Sequence, residues 1–286
     1  VPEGHLIHRY AARIDGLLAG ERVRVSSPQG RFAAEAAVLD GLLLEQVEAY
    51  GKHLFAHFAG GAVVHVHLGQ AGLFLEHGAP PASPRPAVRL RLAGSRGAFD
   101  LVAPARCALV DGATRDAVLA RLGPDPVLAA STDATAWRRL LRSRTVVGAA
   151  LLDQAVWAGI GNAYRAELLY LRRLHPLRPA AELAEEEARA LWALACEQLR
   201  TGVRVGTIAT VDATTPAKWV YKQDHCRGCG AVVETSVVGA RTSYHCPDEQ
   251  RRPAAARRRT GRGAPRRSGA AAATAVRPAL RRPASG

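Results

Sequence analysis

Residues Leu151–Arg165 read LLDQAVWAGIGNAYR. Apolar residues at helical spacing predict one helix over Ala149–Trp157 and another over Tyr164–Leu174, meeting at Gly159-Ile160-Gly161-Asn162. Glycine permits a tight turn and lets the backbone come close to another molecule. A helix that starts at such a turn presents free N–H groups, which suit a phosphate, and Asn162 adds a side-chain donor. An ordinary helical hairpin with a glycine-rich turn fits the same spacing, so the stretch becomes informative only with its surroundings.

On the C-terminal side, Ala181–Leu199 reads as a further helix, with Glu182, Glu185, Glu186 and Glu187 in its first turns, where the helix dipole favours negative charge. On the N-terminal side, Trp137–Leu141 belongs to another helix, and Gly123-Pro124-Asp125-Pro126 is a breaker cluster that marks a domain boundary. Before that boundary the chain changes character. From Pro2 to Leu18 the apolar residues Leu6, Ile7, Tyr10, Ile14, Leu17 and Leu18 keep helical spacing, and Gly20 is the expected stop. Short runs follow between residues 22 and 110, such as Ala62–Leu68 (AVVHVHL) and the strictly alternating Val88–Leu92 (VRLRL). The expectation is therefore an α+β multidomain protein. Residues 1–123 form a helix and a β-sandwich, 124–222 are helical with a connector from 203, 223–250 make a small metal-ribbon-like unit, and 251–286 are an Arg/Ala/Pro-rich tail expected to be disordered.

The net charge of +14 on 286 residues looks like a nucleic-acid footprint, but it is unevenly spread. Residues 251–286 carry 11 Arg and no acid, which leaves 28 basic against 25 acidic residues, or +3, for the body. Charge alone therefore does not make the body a DNA binder. There are 36 Arg and only 3 Lys, so each lysine invites a question. No apolar run reaches the roughly 18 residues a membrane span needs, and no secretory signal is visible at the N-terminus. A cytoplasmic, nucleoid-associated monomer with no membrane partner is the expectation.

Five Cys is an odd number, which argues against a closed disulfide framework. Cys107 and Cys196 stand alone in apolar surroundings. Cys226-Arg-Gly-Cys229, sixteen residues, and Cys246-Pro-Asp-Glu249 have the spacing of a zinc ribbon, with Glu249 where a fourth Cys would stand. Three readings stay open: zinc held by Cys226, Cys229, Cys246 and Glu249, a weak site, or a finger that folds without metal. Between the knuckles, residues 237–243 put Arg241 at the tip of a predicted hairpin, placed to grip a phosphate or simply solvated.

Three more places carry chemistry. Pro2-Glu3 offers a secondary amine beside a carboxylate if Pro2 becomes the N-terminal residue, and such amines condense with aldehydes. The chain contains no Met, so Val1 is expected to be a GTG start codon whose initiator is removed. Pro2 as a mere helix starter is the plain alternative. Lys52 sits just before an apolar strand, as a solvated edge residue or as a cation near the reacting centre. Gln70, in the loop HLGQAG, has the reach to enter a DNA stack. His65 and His67 alternate with valines and read as structural.

Together these pieces resemble the Fpg/Nei family, the bacterial formamidopyrimidine-DNA glycosylases and endonuclease VIII proteins. The matching stretches are PEGHLIHR, GKHLFAHF, HLGQAG, LGPDP, LLDQAVWAGIGNAYRAELLYLRRLHP and VYKQDHCRGCG…VVGARTSYHCP, in family order from residue 2 to about 250. The resemblance implies an N-terminal helix and β-sandwich, then a helix–two-turn–helix domain with a zinc finger, with damaged DNA bound in the cleft between. It implies Pro2 as the nucleophile on the sugar C1′, Glu3 as the proton shuttle, and Lys52, Asn162 and Arg241 on phosphates. Gln70 would enter the stack vacated by the extruded base, and structural zinc would sit in the finger. The stretch Pro104–Leu109 (PARCAL) lacks the Phe usual in the 8-oxoguanine branch, and the connector from Thr207 to Cys226 is short for that branch's lid. Both departures resemble endonuclease VIII, whose substrates are oxidised pyrimidines. The expectation is a bifunctional glycosylase/AP lyase of base excision repair. The 8-oxoguanine branch and a non-catalytic damaged-DNA-binding protein remain the alternatives.

Overall fold

The computed structural model describes residues 2–79, 81–212 and 214–252. The start-codon reading of Val1 and the expectation for the tail from 253 onward lie outside the described residues.

Helix α1 (Gly4–Leu18) buries Ile7, Ala11, Ile14 and Leu18, a stripe at helical spacing. Gly20 follows its end at φ +81°. The chain then builds two four-stranded antiparallel sheets. One has the order β1-β6-β7-β5, from β1 (Arg24–Ser26), β5 (Leu73–His77), β6 (Val88–Gly94) and β7 (Gly97–Val102). The other runs β2-β3-β4-β8, from β2 (Leu44–Tyr50), β3 (His53–Phe58), β4 (Val63–His67) and β8 (Arg106–Val110). Phe32, Phe58, Phe99 and the apolar faces of both sheets close one core with α1. Two short helices, α2 (Ala33–Leu39) and α3 (Gly112–Leu119), were not expected from apolar periodicity; α3 buries nothing. Asp111 starts α3 by accepting from the Thr114 N–H at 2.8 Å.

A second core belongs to the helical part: α4 (Ala134–Leu141), α5 (Val147–Ala150), α6 (Asn162–Leu171) and α7 (Glu185–Val205). Trp157 and Trp192 meet at its centre with rings 5.0 Å apart. The helix expected over Ala149–Trp157 is cut short. Asp153 Oδ1 accepts from the Ala155 N–H at 2.9 Å, an Asx turn that diverts the backbone after the single turn of α5. Helix α7 starts later than expected, at Glu185, and runs longer. The Glu187 carboxylate accepts from the Ala184 N–H at 2.9 Å, and Gly206 at φ +80° ends it. Among the described residues no helix is long and apolar enough to cross a membrane.

The finger is a hairpin of β9 (Glu234–Val238) and β10 (Arg241–His245). Its two-residue turn, Gly239 at φ +62° and Ala240 at φ +58°, has the doubly left-handed form that matches strand twist. Asp125, in the breaker cluster, ties the helical part to the sandwich: its carboxylate lies 2.7 Å from His8 Nε2 and accepts from the Gly51 N–H at 2.6 Å.

Candidate active site

Three backbone segments converge where α6 begins. The Gly4 N–H donates to the Gly159 carbonyl at 2.8 Å, and a Cβ on Gly4 would fall 2.8 Å from Gly159 Cα. A Cβ on Gly51, which sits at φ +58°, would fall 2.9 Å from Ala158 Cβ. Glycine in the GIGN turn and in the β2–β3 turn thus lets one segment of the chain pass directly against another.

This convergence brings Pro2, Glu3, Lys52, Gln70, Asn162 and Arg241 to the wall of one cleft of about 380 Å³. Pro2 and Glu3 precede α1, Lys52 lies in the β2–β3 turn, and Gln70 in the β4–β5 loop beyond Gly69 at φ +68°. Asn162 is the first residue of α6, and Arg241 is the first residue after the finger's turn.

Glu3 occupies the N-cap position of α1 but makes no side-chain cap there. Its buried carboxylate instead accepts from the N–H groups of Gly161 (2.9 Å), Ala163 (2.8 Å) and Tyr164 (3.3 Å) at the start of α6. Those are orphan donors at the positive end of a helix, and a carboxylate is their natural partner. Lys52 Nζ donates to the Ile160 carbonyl at 2.6 Å, which also accepts from Gln154 Nε2 at 3.0 Å. Burial holds the Lys52 ammonium below the ordinary lysine range; the Glu3 carboxylate opposes that shift and Arg241 adds to it.

Two polar side chains of the cleft wall, His67 and Gln154, were not among the expected site residues. His67 ends β4 directly before the Gln70 loop, which was the available signal. Gln154 braces the GIGN turn, accepting from the Gly159 N–H at 3.0 Å while donating to Ile160. A second cavity, of about 260 Å³, is lined by His5, Leu6, Thr207, Ile208, Lys218 and Tyr221. Burial holds His5 down to about 3, so its imidazole is neutral there.

The finger's cysteines form a separate centre. The Sγ atoms of Cys226, Cys229 and Cys246 lie within 4.8 Å of one another, and three soft thiol donors so placed can hold one metal ion. Glu249, the expected fourth ligand, is not among the clustered donors; its carboxylate pairs with Arg173. The next residue explains the local path. Buried Gln250 accepts from the Cys246 N–H at 2.9 Å and donates to the Leu174 carbonyl at 2.8 Å, fastening the second knuckle to the loop after α6. Cys107 and Cys196 stand apart, their thiols pushed up by burial to about 12 and about 11.

Comparison with known proteins bears on the family and the fold. Residues 1–106 match the formamidopyrimidine-DNA glycosylase N-terminal domain, and residues 122–214 match the formamidopyrimidine-DNA glycosylase H2TH domain. The chain is 41% identical over 264 residues to endonuclease 8 1 of Mycobacterium tuberculosis, covering 86% of this chain and 98% of that one. It is 31% identical over 267 residues to the formamidopyrimidine-DNA glycosylase of Thermus thermophilus, covering 86% and 97%. The crystal structure of the MutM (Fpg) protein from Thermus thermophilus matches at a TM-score of 0.71 over 87% of this chain and 98% of that one. A Lactococcus lactis Fpg structure with DNA containing an abasic site, 19% identical, shares the fold at a TM-score of 0.72 over 87% and 100%. With both domain matches, a relative at 41% identity and the shared fold, the chain belongs to the Fpg/Nei family of DNA glycosylases of base excision repair.

Proposed function

We propose that the protein is a bifunctional DNA glycosylase and AP lyase that removes oxidised pyrimidines through Pro2. The observation that carries this reading is the meeting of Pro2 with Glu3, Lys52, Asn162 and Arg241 on one cleft wall. It requires that residue 1 be absent, because only an N-terminal proline is a secondary amine.

Pro2 nitrogen attacks the sugar C1′, and the damaged base departs with the C1′–N bond's electron pair and a proton. Glu3 protonates the opening sugar ring oxygen, and the C1′–N bond to Pro2 becomes an iminium. The iminium makes a C2′ proton acidic. Its loss expels the 3′ phosphate, and a further proton loss from the conjugated sugar expels the 5′ phosphate. Lys52, Asn162 and Arg241 supply the cations and donors that hold the phosphates flanking the sugar. Gln70 fills the stack once the base has left it. Cys226, Cys229 and Cys246 would hold a zinc ion whose part would be structural, fixing the finger that carries Arg241.

The greater identity to endonuclease 8 1, 41% against 32% or less for the formamidopyrimidine-DNA glycosylases compared, supports oxidised pyrimidines over 8-oxoguanine. So does the connector between the end of α7 at Val205 and Cys226, which is short for the lid of the 8-oxoguanine branch. The test is cleavage of duplexes carrying thymine glycol, 8-oxoguanine or an abasic site. Release of thymine glycol with phosphates on both sides of a one-nucleotide gap supports the reading. Excision of 8-oxoguanine alone moves the protein to the other branch, and binding without cleavage of any of the three makes it a damage-binding protein.

A further inference from the structure

Arg165, on α6, is completely buried, yet no described carboxylate pairs with it. Its Nη1 donates to the carbonyls of Val238 (2.7 Å) and Gly148 (3.3 Å). Its Nη2 donates to Asn162 Oδ1 (2.5 Å) and to the Thr242 carbonyl (2.8 Å), while Nε has no partner. Val238 ends β9 and Thr242 is the second residue of β10, so the two carbonyls bracket Gly239-Ala240-Arg241. One guanidinium thus grips the finger's hairpin on both strands, directly behind its tip.

The same group orients Asn162. A guanidinium only donates, so the amide must turn its oxygen toward Arg165. Its nitrogen then donates to the Thr242 carbonyl at 2.9 Å. Asn162 and the Arg241 turn, which come from different parts of the chain, are locked to each other through Arg165 and Thr242.

A buried cation satisfied only by neutral carbonyls is a costly arrangement, and stability alone does not call for it. Burial lowers the Arg165 affinity for its proton to about 10; Arg241 adds to the shift and Glu3 opposes it. Lys52 and Arg241 lie on the cleft wall, so three positive charges stand behind or beside one cavity. An anion entering that cavity relieves all three.

We propose that Arg165 is a positioning residue that makes Asn162 and the Arg241 turn a single phosphate clamp, its own unpaired charge being offset when a DNA phosphate docks. The proposal rests on the DNA-repair reading above and adds a residue that touches neither DNA nor the reacting atoms.

The test measures binding of a duplex carrying a tetrahydrofuran abasic-site analogue across a range of salt, for wild type, Arg165→Gln, Arg165→Lys, Arg241→Ala and Arg165→Gln/Arg241→Ala. Arg241→Ala is expected to shallow the salt slope by about one, the signature of one lost phosphate contact. Arg165→Gln is expected to do the same and to weaken binding about tenfold, and the double variant to be no more than about twofold weaker than Arg241→Ala. Arg165→Lys keeps the charge without the fork, so it should keep the wild-type slope with weakened affinity.

Additive losses in the double variant, or wild-type affinity and slope in Arg165→Gln, overturn the proposal. If urea unfolding shows that Arg165→Gln does not fold, Arg165→Lys decides: wild-type affinity in that variant overturns it. Failure of the wild-type protein to bind the duplex overturns the DNA-repair reading instead, a result distinct from wild-type binding with unaffected Arg165 variants.

Discussion

The Glu3 carboxylate accepts from the Gly161 N–H at 2.9 Å, in a contact so close that a Cβ on Gly161 would lie 2.5 Å from Glu3 Cδ. The residue proposed to move protons at the sugar is therefore also the cap of the helix that opens the phosphate site. Gly161 sits at φ −120°, where alanine fits without backbone strain. The three atoms nearest an added Cβ all belong to Glu3, so Gly161→Ala acts first on that side chain. It should lower unfolding free energy by about 1–2 kcal/mol through the lost cap. It should slow base release far more than that loss of stability explains. Gly112→Ala, where an added Cβ meets nothing within 4 Å, is the control: it should leave base release unchanged and raise unfolding free energy by at most about 1 kcal/mol. Base-release assays beside urea titrations separate the two.

Lys52 gives the pH dependence. Its ammonium is lost at a lower pH than an ordinary lysine, because burial disfavours the charge. The positive group is present below that pH, so DNA affinity should start to fall on the alkaline side before the usual lysine titration near about 10.4. Lys52→Arg stays charged and should flatten that limb. Binding measured against pH for both proteins checks this. Parallel alkaline limbs would remove Lys52 from the phosphate site.

Acid should destabilise the fold through its neutral histidines. Burial holds His5 down to about 3 and His65 to about 4, against 6.5 for the free side chain. As pH falls through 6.5 the unfolded chain takes up protons that the folded one refuses, so stability is lost toward pH 4. Each such histidine adds a slope of at most about 1.4 kcal/mol per pH unit. His65→Gln should reduce the slope of unfolding free energy against pH by that much. An unchanged slope would mean that His65 is not neutral in the fold.

The finger should bind one zinc through its three cysteines. Cys246→Ser is expected to lose the metal, whereas Glu249→Ala should retain it, because Glu249 is engaged with Arg173. Metal analysis and the charge-transfer band of a cobalt-substituted protein report both results. Loss of metal in Glu249→Ala would restore Glu249 as the fourth ligand.

The fold was legible where periodicity is strong. Ile7, Ile14 and Leu18, all buried, spell α1, and the alternation of Val88–Leu92 spells β6. It misled where a single polar side chain redirects the backbone, as Asp153 does after α5. The site was legible as chemistry rather than as geometry. The expected cleft residues do line one cavity, but no local pattern says that Glu3 caps a helix more than 150 residues away. His67 read as structural because it alternates with valines, although it ends β4 directly before the Gln70 loop and lines the cleft. Glu249 was read from spacing alone, and its carboxylate lies outside the cysteine cluster.

The most direct measurement is borohydride trapping on a duplex with an abasic site, followed by mass spectrometry of the adduct. The expected result is a covalent adduct whose protein part lacks residue 1, with the sugar attached at the nitrogen of Pro2. Attachment at Lys52 or another side chain, or no adduct from protein shown to begin at Pro2, would contradict a proline nucleophile.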